Sequence, residues 1–471
     1  VALVSESPDR FGLDEGLADG LLRRALARGG DMAEVFAEER RSLSMRLEDG
    51  RVESVVSGVD RGASIRVLEG LSTAFGYVDS LDDRELAPLA DELGRARAGR
   101  TVEIIAPQSP QTSGRRWVRR DPEEVEAAAK ARLLHLIDET ARSMSTEVRQ
   151  VGAGYAEGRQ RVWIANSLGL SAADDRTRVM IAVTVTAQRG EVIQTGRETL
   201  AHHGGIELLT EEAVRAIAEE ATRKALIMLD AVPAPGGRMA VVLANGFGGV
   251  LFHEACGHGL EADYILKKTS VWEGKQGTRV AGPDVFAYDD GVTPGMWGSA
   301  GCDDEGTPHQ RSTVIEAGVL TGYLTDRLRG GSLGLPLTGN GRRQDYRHMP
   351  YPRMTNTYFG PGTHRVEEIV ADTPRALYAK SLSGGEVNPA TGDFVFGVSE
   401  GYLIENGRIG PAVRGATLIG NGPEVLLGID AIADDLEVKP GTCGKEGQWV
   451  PVGSGQPTLR IRELTVGGTD V

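Results

Sequence analysis

The stretch Leu251-Phe252-His253-Glu254-Ala255-Cys256-Gly257-His258-Gly259 carries the residue types of a hydrolytic metal site. Two imidazoles can hold a divalent ion, and a carboxylate beside them can take a proton from water. The common zinc-protease motif places its histidines four residues apart, stacked on one helix face. Here they are five apart. On a regular helix five residues swing about 140° and rise about 7.5 Å. Both rings therefore reach one ion only if the helix widens into a π-turn or ends near Gly257. Gly257 and Gly259 permit such a distortion. The competing reading is a buried helix that happens to carry two histidines.

A catalytic zinc site uses three protein ligands and leaves a position for water. The candidates for the third donor are Glu261, Asp303, Asp304, Glu305, His309, His348 and Cys443. Glu261 is near in sequence. Cys443 sits in Gly441-Thr442-Cys443-Gly444-Lys445, where glycines free the backbone and Lys445 favours a thiolate. A lone cysteine is otherwise a small buried hydrophobe, and the residues alone favour that reading for Cys443. Cys256 and Cys302 read as packing residues. Gly246-Phe247-Gly248-Gly249 lacks the Gly-Lys-Ser/Thr ending of a phosphate loop and reads as close packing at a helix start. His202-His203 reads as loop, and Asp303-Asp304-Glu305-Gly306 as a solvated acidic turn.

The chain has 471 residues and a net charge of −15. Proteins that neutralise nucleic-acid phosphates carry basic excess or clustering, so no nucleic-acid partner is expected. The one basic cluster, Arg115, Arg116, Arg119 and Arg120 around Trp117, reads as a solvated face. Three scattered cysteines argue against a disulfide framework and for a reducing compartment, which makes a cytoplasmic protein the expectation. Val1 to Arg10 lacks the basic start and apolar core of a signal peptide. No apolar run reaches the roughly 18 residues of a membrane span, so no membrane association is expected.

The elements that must position the motif read as α+β. An N-terminal α/β region of hairpins and helices precedes a β-rich, barrel or sandwich-like C-terminal domain. Asp14 to Arg28 has a helical apolar stripe stopped by Gly29-Gly30. Period-two segments follow, with a turn at Asp49-Gly50 and a second hairpin, Ala63 to Leu68 and Ser72 to Val78, around Glu69-Gly70. A helix near Leu81 to Ala98 contains Pro88. Asp121, Pro122 and Glu124 predict a capped helix running from there to about Ser143. Two long hairpins are expected over Glu147 to Ala165 and Thr177 to Thr195, the latter turning at Arg189-Gly190, and an amphipathic helix starts at Thr210. Val232-Pro233-Ala234-Pro235-Gly236-Gly237 is the clearest linker. The expected units are 1–120, 121–231 and 232–471. A strand, Met239 to Ala244, leads into the histidine helix, and a glycine-rich, short-period remainder with turns such as Asn406-Gly407 predicts the β-rich domain.

Several blocks together resemble the TldD/PmbA family of metalloproteases, and specifically its TldD-type subunit. They are His253 to Glu261, Asp303 to Pro308, Thr338 to Arg343, Pro352 to Tyr358, Gly415 to Gly420 and Cys443 to Gln448. The resemblance implies that His253, His258 and Cys443 bind one zinc per chain and that Glu254 is the general base. It thus reverses the packing reading of Cys443. It also implies a heterodimer with a PmbA/TldE-type subunit, and unfolded or modified peptides, such as microcin precursors, as substrates. An extended substrate could pair with a strand edge. His348 is a candidate for contact with the oxyanion or the substrate, against the reading of a core or loop histidine, which the sequence favours. The expected activity is zinc-dependent endopeptidase. The alternatives are a non-proteolytic peptide-binding or maturation factor with a structural metal closed by four ligands, and a hydrolase of small amide or formyl groups, for which the same donors also suit iron.

Overall fold

The structure, a computed structural model, describes residues 13–96, 102–108, 111–113 and 117–469. Arg115 and Arg116 of the basic cluster, and the end of the predicted helix at Ala98, lie outside the described residues.

The strands Met32–Glu48, Arg51–Glu69 and Ser72–Val78 form a meander that turns at Asp49-Gly50 and at Gly70. Glu147 to Ala165 is no hairpin: Val148–Asn166 is a single strand of 19 residues, with Gly152, Gly154 and Gly158 inside it. It is held straight on both sides, by Met32–Glu48 and by Ser171–Arg189. The turn at Arg189-Gly190 does join Ser171–Arg189 to Val192–His203. All these strands belong to one seven-stranded sheet. His202 and His203 close its strand Val192–His203 rather than lying in a loop.

The helix at Asp121 also differs from expectation. Asp121 caps only the single 3-10 turn Pro122–Glu124 through the amide of Glu123. Val125 is extended, at φ −100° and ψ 126°, and packs against the core, so the helix begins afresh as Ala127–Met144. The extended, half-buried Val125 packed against the core thus interrupts the helix that the capping signal predicts. Thr210 does cap its helix, Glu211–Leu229, through the amide of Ala213. These two helices cover one end of the sheet, where Leu134, Ile137, Val214 and Ala218 meet Val179, Ile181 and Val183.

The other end of the sheet is buried on both faces. Strand periodicity sends Ala33, Val35 and Ala37 to one side, against the helices Glu15–Ala25 and Asp83–Arg95. Glu34, Phe36 and Glu38 point the opposite way and meet residues of the C-terminal half, among them Tyr346, Cys302 and Arg343.

Beyond the linker five strands close a barrel: Gly237–Leu243, Leu459–Gly467, Thr417–Asn421, Asp393–Glu405 and Arg375–Val387, the last pairing back to the first. Closure removes the exposed edges of an open sheet. A six-stranded sheet beside it ends in Gln448–Gln456 and Glu437–Lys445. The linker itself is partly ordered, since Val232–Pro233 pairs with Val413 and Arg414. No helix among the described residues is long and apolar enough to cross a membrane.

Candidate metal centre

The histidine segment starts where Gly246-Phe247-Gly248-Gly249 forms a 3-10 turn. A Cβ on Gly249 would stand 2.4 Å from the backbone of Gly455, so the glycine is there for close packing. Leu251, Phe252, Ala255 and Cys256 then bury into the barrel core with Leu377, Phe396 and Ile461. That anchors one side of the segment and leaves the other for the polar residues.

His253–Gly257 is a π-turn, followed by the 3-10 turn His258–Leu260. The amide of His258 donates to the carbonyl of His253. Both imidazoles consequently share a face, with centroids 5.1 Å apart and planes at 83°. Gly257 allows this turn to approach Met354, whose Sδ would lie 2.2 Å from an added Cβ.

Cys443 arrives from the strand Glu437–Lys445. Its Sγ lies 3.3 Å from His258 Nε2. One donor atom from each of His253, His258 and Cys443 falls within 4.8 Å of the others. All three residues are buried. Burial pushes the Cys443 thiol up, but the adjacent His253 and His258 outweigh it and hold the group well below a free thiol. Burial pushes His258 down, but Glu261 and the Cys443 sulfur outweigh it and raise the imidazole well above its usual range.

These donors fit a metal ion. Among the described residues Nδ1 of His253 is buried without a hydrogen-bond partner, a buried polar atom that calls for an explanation, which a bound ion would supply. Two imidazoles and a thiolate-forming cysteine are a zinc donor set. Glu254 stands at the edge, its Oε2 3.8 Å from His258 Nε2 and its side chain 26% exposed.

Behind the trio is a second, fully buried layer. Glu261 accepts from His258 Nδ1 at 2.9 Å and from Lys445 Nζ at 2.8 Å. Lys445 also donates to Asp263 at 2.7 Å. Burial pushes the Glu261 carboxyl up, but Lys445 and His258 bring it down to about 2. Glu261, a candidate ligand by sequence, instead holds the ring of His258, a candidate ligand itself. Its position three residues after His258 was the available signal. Lys445 binds these two carboxylates rather than the Cys443 sulfur, which corrects its expected role. Arg353, not singled out by sequence, donates to the Cys443 carbonyl at 2.7 Å.

The remaining candidates lie elsewhere. Asp303, Asp304 and Glu305 are no solvated turn: they are 1%, 3% and 0% exposed. Arg66 bridges Glu305 and Glu34, and Arg176 binds Asp304 at 2.7 Å, tying the N-terminal sheet to the C-terminal domain. His309 is buried, and burial together with Arg342 and Arg176 pushes it down to about 3. His348 is held by Asp345 at 2.7 Å. Cys256 is buried in the core, as expected, and Cys302 packs with Phe36 and Tyr346.

Comparison with known proteins gives three consecutive family matches. Residues 33–97 match PmbA/TldA metallopeptidase domain 1, residues 120–229 the central domain and residues 236–468 the C-terminal domain. A Haemophilus influenzae protein named metalloprotease TldD homolog is 39% identical over 450 residues, 93% of each chain. A Buchnera aphidicola protein of the same name is 34% identical over 460 residues, again 93% of each chain. The crystal structure of TldE from Thermococcus kodakarensis has the same fold, with a TM-score of 0.77 at 19% identity, over 96% of this chain and 100% of that one.

Proposed function

From the membership of this chain in the PmbA/TldD metallopeptidase family, we propose that it is a zinc-dependent endopeptidase acting on unfolded or modified peptides. The observation that carries the reading is the convergence of His253, His258 and Cys443 beside a partly exposed Glu254. Those three residues would hold the metal, and a bound zinc ion would supply Lewis acidity to water and to the scissile carbonyl. Glu254 takes the proton of the attacking water and delivers it to the leaving amide nitrogen. Glu261 fixes the His258 ring through Nδ1, and Lys445 with Asp263 keeps that carboxylate in place. Arg353 fixes the strand that carries Cys443.

Three donors rather than four converge among the described residues, which favours an open site over the closed structural metal of the maturation-factor alternative. A PmbA/TldE-type subunit is the proposed partner. The exposed Val55, Val56 and Val59 on Arg51–Glu69 offer apolar surface for it. The cysteines are all unpaired, in keeping with a cytoplasmic location. The test is metal analysis of the purified chain together with cleavage of an unfolded peptide, with and without a PmbA-type partner. About one zinc per chain and cleavage that disappears in Glu254→Ala are expected. Full activity of Glu254→Ala would overturn the mechanism.

A further inference from the structure

A cavity of about 280 Å³ lies between the N-terminal sheet and the C-terminal domain, lined by Arg40, Arg176, Arg178, Arg342 and Arg343. The two carboxylates on its wall are already engaged, Glu157 by Lys130 at 2.7 Å and Asp304 by Arg176 at 2.7 Å. Arg343 binds Glu34 at 2.6 Å, and Arg40 binds Glu38 at 3.0 Å. Arg178 and Arg342 are different. Arg178 donates only to main-chain carbonyls, of Trp297 at 2.9 Å and Ser299 at 3.1 Å. Arg342 does the same, to Met354 and, at 2.7 Å, to Pro451. Neither meets a carboxylate at ion-pair distance among the described residues. Burial and the neighbouring cations push Arg178 down to about 9, and burial, outweighing Asp304, pushes Arg342 down to about 10. Arg342 is buried and Arg178 half-buried; a cation withdrawn from water without a carboxylate in direct contact is costly, and an anionic ligand lowers that cost.

The strand Glu437–Lys445 carries both Cys443 and its chain neighbour Thr442, which lines the cavity. Arg342 holds the carbonyl of Met354, while the amide of Met354 donates to Glu261 at 3.3 Å. Trp297, Trp449 and Pro451 supply apolar wall beside the guanidinium groups. The volume is near the lower end for small-ligand pockets, roughly 300 Å³. A planar guanidinium matches a carboxylate through two parallel hydrogen bonds.

We propose that this cavity binds a carboxylate of the peptide substrate between Arg178 and Arg342. The inference rests on the peptidase reading and adds a specificity element to it. The carboxylate comes from a chain terminus or from an Asp or Glu side chain, and the test separates the two.

Binding is measured by fluorescence anisotropy with the zinc-loaded full chain carrying Glu254→Ala, which removes turnover from the readout. Three labelled peptides share one unfolded, otherwise uncharged sequence: a free acid, its C-terminal amide, and the amide with one internal Glu. The amide without Glu should bind roughly ten- to a hundred-fold more weakly than the preferred acid. Preference for the free acid assigns the pocket to the terminus, and preference for the Glu peptide assigns it to a side chain. Arg178→Gln should bring the ratio to near one, and Arg178→Lys should restore part of it. Equal binding of all three peptides overturns the proposal whether or not the variants fold. In that case, cleavage of the amide by the wild-type chain leaves the peptidase reading standing. If no peptide is bound or cleaved, both readings fall.

Discussion

The amide of His258 donates to the carbonyl of His253, one residue further back than in an α-helix. That bond widens a single turn and sets the two rings 5.1 Å apart. Had His258 bonded to Glu254, as a regular helix requires, the side chains would diverge by about 140°. The reactivity expected of the site follows from this local departure.

Glu254→Gln keeps the size of the side chain and removes the carboxylate proposed as the base. Its kcat is expected to fall by about 10²- to 10⁴-fold with metal content unchanged. Parallel assays of peptide cleavage and metal-to-chain ratio check this. A drop in metal content equal to the drop in activity would make Glu254 a ligand or a structural residue.

Cys443→Ser replaces the thiolate with a hydroxyl that is a poorer zinc donor. Metal affinity should fall by more than the roughly 10- to 100-fold typical of losing an outer-layer partner. The same change leaves a hydroxyl in the small cluster with Val450 and Val452, at a cost of about 1–3 kcal/mol if it finds no partner. Chelator competition and denaturant unfolding separate the two effects.

Glu261→Gln weakens the grip on His258 Nδ1 and leaves Lys445 with Asp263 alone. Metal affinity should drop about 10- to 100-fold. Lys445→Met leaves two carboxylates buried together and should cost about 3–5 kcal/mol of stability. Chelator competition reads the first and thermal unfolding the second. Unaltered metal affinity in Glu261→Gln would remove its positioning role.

His309 predicts an acid-side loss of stability. Its folded pKa, about 3, is depressed below the ordinary 6.5. The unfolded chain therefore takes up a proton first as pH falls. The stabilisation is complete above about pH 6.5 and shrinks from there down to about pH 3. By pH 5 the loss is roughly 2 kcal/mol. Asp326 acts in the opposite direction, because burial pushes it up to about 6. The comparison is therefore made against His309→Gln, by denaturant unfolding at pH 7.5 and pH 5. The stability advantage of the wild type should shrink by that amount.

What could be read from the sequence was local. The five-residue spacing and the adjacent glycines of His253 to Gly259 anticipated the π-turn, because backbone geometry alone decides whether two rings share a face. Thr210 announced its helix, and the Asn406-Gly407 turn its hairpin, Asp393–Glu405 with Arg408–Arg414. What escaped depended on distant partners. Asp303, Asp304 and Glu305 look like a surface turn until Arg66 and Arg176 arrive from the sheet; Arg66 and Glu305 are 239 residues apart. Asp121 looks like the cap of a long helix, but the extended Val125, half-buried against the core, stops the turn it caps. Glycines at 152, 154 and 158 look like turns until strands on either side hold the backbone straight.

The double burial of the sheet end has a further consequence, for the autonomy of the parts. Severing the chain at Val232 to Gly237 would separate the third matched sequence unit from the first two, but not two independent folding units. Glu34, Arg66 and Arg176 would lose carboxylate or guanidinium partners that only the C-terminal half provides. Each fragment would then present charges to solvent from a surface shaped for dry contact, together with Phe36 on one side and Tyr346 on the other. The protein is thus expected to melt in one cooperative step across its apparent linker, and excised halves to be aggregation-prone rather than functional modules.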